Sequence, residues 1–308
     1  MVFPWEDAPI LAGVVARRLK KDVGALHSGL APPFITWRMT MYSALLTEID
    51  ETIGLVTLNR PERQNMLDAT LIDELTEALL DLQAAPSVRV VILSAEGAAF
   101  CAGLDPSWLR RAQTQRESEA LRDERQLVRL LSTLADLPKP TIARVHAPVQ
   151  GVGLALVAAC DLAIAAYDAH FAISDLRQGR LPAAALPFLI SALGERQARR
   201  YVLTGERFSA AEAYRLGLLH EVVPGWDELD AAIGEWIDAL LRGGPQAQAE
   251  AKALLRVSAG QPLDEATFEE AARRGSRVCM SLEGREGLSS LIERRSPNWL
   301  TLARSEEA

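Results

Sequence analysis

Two glycine-interrupted stretches of this chain have the composition of a backbone anion site. One reads Val149-Gln-Gly-Val-Gly-Leu-Ala-Leu-Val-Ala-Ala-Cys-Asp161, an apolar segment broken at Gly151 and Gly153. The other reads Ala98-Ala-Phe-Cys-Ala-Gly-Leu-Asp105 and follows a strongly β-forming run, Val88 to Leu93. Each puts glycine where a strand gives way to a helix. Such turns leave backbone N–H groups unpaired and pointing outward. Two of them facing one another would form an oxyanion hole, which stabilises charge developing on a carbonyl oxygen.

The other chemistry-bearing residues make weaker patterns. His27, His146, His170 and His220 are scattered, with no partner at metal or triad spacing. His146 precedes the second glycine turn, so it either lines a pocket or packs as an ordinary lone histidine. Ser107 and Ser174 have no base at defined spacing, and there is no Gly-x-Ser-x-Gly elbow. Gly151-Val-Gly153 lacks the third glycine of a dinucleotide fingerprint. Cys101 lies within the first glycine turn, where small apolar packing competes with reactivity. No metal site is expected.

The elements that must position these turns alternate between strand and helix. Leu45–Ile49 and Ile53–Leu58 read as short strands, followed by a turn at Asn59-Arg-Pro-Glu-Arg63. Leu71, Leu75, Ala78, Leu79 and Leu82 recur at helical spacing, with Thr70 and Asp73 placed to help the start. Val88–Ser94 is a near-continuous apolar run, as in a strand covered on both faces. Asp105 can cap a helix whose first position is Pro106. A helix over Leu121–Leu137, a strand over Thr141–Val145 and the apolar helix ending at Cys160 follow. Short strands at Leu162–Ala166, Phe171–Ile173 and Leu219–Val223 enclose helices at Gly194–Leu203 and Ser209–Leu216, with Gly217 as a C′ residue.

From Trp226 the pattern becomes purely helical: Asp227–Leu241, Pro245–Val257, Leu263–Cys279 and Glu283–Arg294. The expected organisation is an extension over residues 1–40, disordered for want of a packing partner. A core over 41–225, a helical region over 226–299 and a tail over 300–308 complete it.

Composition limits the function classes. The chain has 308 residues, 49% hydrophobic and 24% charged, enough for a sizeable core. A net charge of −8 argues against a nucleic-acid binder. No apolar run reaches the roughly 18 residues of a membrane helix, so no membrane partner is expected. The 3 cysteines, Cys101, Cys160 and Cys279, form no CxxC pair and point to a reducing, cytoplasmic compartment.

Several pieces together resemble the crotonase superfamily, the enoyl-CoA hydratase/isomerase family. They are Leu58-Asn-Arg-Pro-Glu62, Ala99-Phe-Cys-Ala-Gly-Leu-Asp105, Lys139-Pro-Thr-Ile-Ala143, Gly151-Val-Gly153 and Ala159-Cys-Asp161. Leu203-Thr-Gly-Glu-Arg-Phe-Ser-Ala-Ala-Glu-Ala213, Gly217-Leu-Leu-His-Glu-Val-Val223 and Glu286-Gly-Leu-Ser-Ser-Leu-Ile-Glu-Arg-Arg295 follow in the family's order. Gly194-Glu-Arg-Gln-Ala-Arg-Arg-Tyr-Val-Leu-Thr204 and Ser107-Trp-Leu-Arg-Arg111 look most like the methylglutaconyl-CoA hydratase branch.

The resemblance implies an α/β fold, a crotonase-like spiral of ββα units with a C-terminal helical trimerisation region. It implies homotrimers or hexamers. It implies an acyl-CoA thioester as substrate, with coenzyme A entering as part of it and no tightly bound cofactor. The thioester oxygen would meet the amides of Leu104 and Val152. Ala102, Gly103, Asp105 and Gly151 would border the substrate, and Arg60 and Arg63 would either meet CoA phosphates or stay ordinary surface charges.

Enoyl hydration needs a base for water and an acid for the α-carbon, tasks suited to two carboxyls. One of the family's carboxylate positions is here Ala155, which cannot transfer a proton. The other is Asp175, one methylene shorter than the usual Glu. The resemblance therefore leaves three readings: a hydratase of methylglutaconyl or other branched enoyl-CoA, an isomerase using Asp175 alone, and an acyl-CoA-binding protein without turnover. Leu291 where relatives often have Phe, and an alanine-rich Leu181–Pro187 loop, are further departures.

Overall fold

The computed structural model describes residues 42–301. The expected extension over 1–40 and most of the expected tail lie outside the described residues. An α/β core is built on a six-stranded sheet in the order β1-β2-β3-β4-β6-β9, with a smaller β5-β7-β8 sheet beside it. Strands β1 (Leu45–Asp50) and β2 (Ile53–Leu58) form an antiparallel hairpin. Beyond β2 the main sheet is parallel: β3 (Val90–Ala95), β4 (Thr141–Val145), β6 (Leu162–Ala166) and β9 (Glu221–Val223).

Helices cross over between these strands. They are α1 (Ala69–Ala84), α2 (Pro106–Ala112), α3 (Glu117–Asp136), α4 (Val152–Ala159), α5 (Leu186–Thr204) and α6 (Ala210–Leu216). Helices α7 (Trp226–Arg242), α8 (Pro245–Ser258), α9 (Glu265–Cys279), α10 (Leu282–Glu293) and α11 (Asn298–Thr301) follow the last strand.

The two faces of β3 show why an apolar run becomes a central strand. Side chains alternate across a strand with period two. Val91 and Leu93 enter the large core, while Val90 and Ile92 enter a second core against α7. On α7, Leu229, Ile233, Ile237 and Leu241 recur at helical spacing and close that second core. Arg144 of β4 lies on the same face and forms a buried ion pair with Asp230 of α7, Nε to Oδ1 2.7 Å.

Several boundaries differ from the sequence reading. The run Val88–Ser94 becomes a strand only from Val90, where pairing with Ile53 begins. Asp68, rather than Thr70 or Asp73, caps α1, accepting from the Leu71 N–H at 2.9 Å. Helix α3 starts four residues before the expected Leu121, and the Glu119 carboxylate accepts from the Arg116 N–H at 2.9 Å. The helix expected from Gly194 extends back to Leu186, with Gly194 (φ 72°, ψ 153°) as a bend between two helical arms. Strands β5 (Val149–Gln150), β7 (His170–Ala172) and β8 (Arg207–Ser209) make the smaller sheet. Of these, only β7 matches an expected strand, displaced by one residue from Phe171–Ile173. The expected tail begins with ordered α11, because Leu300 is buried and Trp299 Nε1 donates to the Arg242 carbonyl at 3.1 Å.

Helices α8 to α10 bury almost nothing within one chain. Leu255 and Val257 of α8, Phe268 of α9, and Leu282, Leu288 and Ile292 of α10 are all exposed.

Candidate active site

The two glycine turns meet. Gly103 has φ 97° and Gly151 has φ 54°, conformations that L side chains rarely adopt. A Cβ built on Gly151 would stand 3.5 Å from Gly103 Cα. Gly153 packs more tightly still, since a Cβ there would lie 2.8 Å from the Cys101 carbonyl oxygen. The Gln150 N–H donates to the Cys101 carbonyl at 2.8 Å, and the Gly151 N–H to the Ala172 carbonyl at 2.9 Å. The amides of Leu104 and Val152 have no acceptor among the described residues. Val152 is the first residue of α4, where N–H groups lack an intrahelical partner.

A segment just after the Asn59–Arg63 turn clamps the first glycine turn. Ala102 N–H donates to the Gln64 carbonyl at 3.0 Å, Leu67 N–H to Gly103 at 2.8 Å, and Asp105 N–H to Leu67 at 2.9 Å. Asn65, wholly buried at φ 53°, is the key to this clamp. Its Nδ2 donates to the Glu96 and Ala99 carbonyls at 2.8 and 2.9 Å, and its Oδ1 accepts from Arg60 N–H at 2.8 Å. Asparagine is among the few side chains that visit this backbone region readily. Sequence reasoning missed Asn65.

Leu104, Val152 and Asp175 border a single cleft of about 20 Å³, room for one water-sized molecule. Glu124, Leu127, Arg180 and residues 181–185 complete its walls. Asp175 opens a 3₁₀ turn and is 8% exposed. Its Oδ1 lies 3.2 Å from Arg180 Nη1. Glu124 comes from α3. Burial pushes its carboxyl above the usual range, Arg180 opposes that shift, and Asp175 and Asp123 add to it.

Other expected site residues have different surroundings. Ala155 is fully buried in the large core and does not line the cleft. It lies on α4, a helix apolar on every side, whereas the cleft lies over the helix start. Asp105 caps α2, its Oδ1 accepting from the Ser107 N–H and Oγ at 2.7 and 2.5 Å. Burial works against its charge, yet those bonds, with Arg63 and Arg60 nearby, hold its carboxyl below the usual range. Arg60 is nearly buried and paired with Asp68 at 2.6 Å, so it does not present its charge to solvent as expected of a phosphate contact. Arg63 is half exposed, 3.7 Å from Asp105, and remains an outward-facing cation of the turn.

His146 packs behind the first turn instead of lining the cleft. Its Nε2 is 2.8 Å from the Gly97 carbonyl, and its ring meets Trp226 edge-on at 4.8 Å. Desolvation lowers its pKa. Cys101 is fully buried, which pushes its thiol up to about 12. Among the described residues no cluster of three His, Cys, Asp or Glu could hold a metal ion. No helix among them is long and apolar enough to cross a membrane.

A backbone anion site of this kind, carried on this α/β framework, is what the crotonase fold provides. The chain belongs to the enoyl-CoA hydratase/isomerase family, whose model matches residues 48–301. A Rhodobacter capsulatus relative named "Probable enoyl-CoA hydratase" is 32% identical, over 84% of this chain and 98% of its own length. An Arabidopsis thaliana relative named as a peroxisomal Delta(3,5)-Delta(2,4)-dienoyl-CoA isomerase is 31% identical, over 86% of this chain and 100% of its own. The crystal structure of an enoyl-CoA hydratase from Shewanella pealeana superposes with a TM-score of 0.81 at 35% identity. That match covers 84% of this chain and 96% of the other.

Proposed function

We propose that this protein is an enoyl-CoA hydratase acting on a branched enoyl-CoA, with methylglutaconyl-CoA as the leading substrate. The observation that carries the reading is the shared cleft: Leu104 and Val152, at two touching glycine turns, border the same space as the Asp175 carboxylate. The thioester oxygen accepts from the two amides, which stabilises the enolate that forms. Asp175 takes a proton from the attacking water, a role that its pairing with Arg180 suits. Among the described residues Arg180 is the sole cation lining the cleft, and a guanidinium suits a distal carboxylate such as methylglutaconyl-CoA carries.

Coenzyme A enters as part of the substrate, with no tightly bound cofactor, and Arg63 would meet its phosphates, a role that its half-exposed side chain supports. The exposed apolar faces of α8 to α10 support assembly into trimers or hexamers. Three free cysteines suit a cytoplasmic location.

One observation favours an isomerase as the second reading. Ala155 leaves α4 without a carboxyl, and moving a double bond needs only one group to carry a proton. The test is turnover of methylglutaconyl-CoA and of a neutral branched enoyl-CoA by wild type and Asp175→Asn. The hydratase reading expects water addition, reduced about a hundredfold or more in the variant. Equal rates in both proteins sink the role of Asp175. A shifted double bond without added water selects the isomerase, and thioester binding without turnover selects a binding protein.

A further inference from the structure

Glu124 has no role in any reading of the two glycine turns. It reaches the cleft from α3, far from Asp175 in sequence. The helix places it there through its own periodicity. Leu127, Leu130, Leu131 and Leu134 are the buried stripe of α3. Glu124 precedes Leu127 by three residues and Leu131 by seven, so it continues that inward stripe toward the helix start. A carboxyl there is an unusual choice, because an apolar stripe normally continues with apolar residues. It lines the same cleft as Leu104, Val152, Asp175 and Arg180, near enough to feel the charges of Asp175 and Arg180.

The cleft has one carboxyl fewer than hydration calls for if only α4 and the Asp175 turn are counted. Ala155 lies in the core and cannot be titrated. We propose that Glu124 is the second proton-transfer residue of this site, protonating the α-carbon in place of any group from α4. The assignment rests on the hydratase reading and specifies how that reaction is completed.

The step balances as the addition of one water. Asp175 accepts a proton from water while the water oxygen bonds to the β-carbon. The π pair of the Cα–Cβ double bond moves toward the thioester, giving an enolate whose oxygen is held by the two amides. Glu124 then gives its proton to the α-carbon as the enolate collapses. The proton now on Asp175 returns to Glu124, restoring both groups. The two carboxyls have different surroundings, as acid and base partners require: Asp175 lies 3.2 Å from the Arg180 guanidinium, while Glu124 comes from the packed face of α3. Burial, which favours the neutral form of Glu124, suits it to the donor role.

Two measurements on the full-length protein test this. The first is hydration of a branched enoyl-CoA. The second is exchange of the α-protons of a saturated acyl-CoA in D₂O, followed by NMR, which needs no water addition. Glu124→Gln keeps the size of the side chain but cannot donate a carboxyl proton. It should lower kcat for hydration and the exchange rate each by about a hundredfold or more, with little change in KM. Glu124→Asp should recover part of both. Rates within about threefold of wild type in Glu124→Gln overturn the assignment while leaving the hydratase reading intact. Wild-type exchange that depends on Glu124, without any hydration, overturns the hydratase reading and supports Glu124 as the α-carbon acid. A wild type inert in both assays overturns both.

Discussion

The carboxylate of Asp175 lies against the backbone of Gly151: a methyl carbon added to that glycine would stand 3.4 Å from Asp175 Oδ2. The acid/base group and the turn that presents the Val152 amide therefore share one surface. A shift in either is felt by the other, and misplacement by about an ångström can change rates on the order of a hundredfold.

Gly151→Ala should consequently lose more activity than stability. The positive φ of 54° makes any side chain strained there, at about 1–3 kcal/mol. Urea unfolding would report that loss, and a kcat reduction of at least tenfold at unchanged fold would report the displaced Asp175. Activity within twofold of wild type would contradict the shared surface.

Asn65→Ala should loosen the first glycine turn. It leaves the buried Ala99 carbonyl and the part-buried Glu96 carbonyl and Arg60 N–H without their partner, and an unsatisfied buried group costs about 1–3 kcal/mol. A lowered melting temperature, together with weaker thioester turnover, is expected. A drop in stability with no change in turnover would separate Asn65 from the site.

The alkaline side of the pH profile should belong to Glu124. Its carboxyl is raised above the ordinary value, first by burial, with Arg180 opposing and Asp175 adding. A donor works while protonated, so kcat/KM should fall as pH rises through that raised value. Glu124→Gln should abolish this limb of the kcat/KM profile. An unchanged limb in the variant would assign it elsewhere.

Breaking the Arg144–Asp230 pair should be costly. The side chains are 8% and 4% exposed, and removing one partner strands a buried charge, at about 3–5 kcal/mol. Asp230→Asn should therefore shift the urea midpoint strongly. Replacing both residues with apolar ones of similar volume should restore much of the loss.

Thiol labelling at pH 8 should leave Cys101 and Cys160 untouched in native protein. Both are buried and pushed up to about 12, and only a thiolate reacts. In guanidinium all three cysteines should label. Rapid native labelling of Cys101 would revive the reactive alternative for that residue.

The sequence by itself determined the framework and the two turns. Glycine at 103, 151 and 153, apolar runs of strand length and the leucine stripe of α1 are local signals, because period and backbone freedom act over a few residues. The ordered motifs from Leu58 to Arg295 then pointed to the family. What folding alone decided is which distant groups meet. Arg60 turned to Asp68 and Asp105 to Ser107, since a charge near the core takes the nearest partner. Ala155 went into the core because every face of α4 is apolar. Arg180 meets Asp175 locally, five residues on, but Glu124 reached both through the packing of α3 against the rest of the core, a long-range contact that no spacing along the chain records.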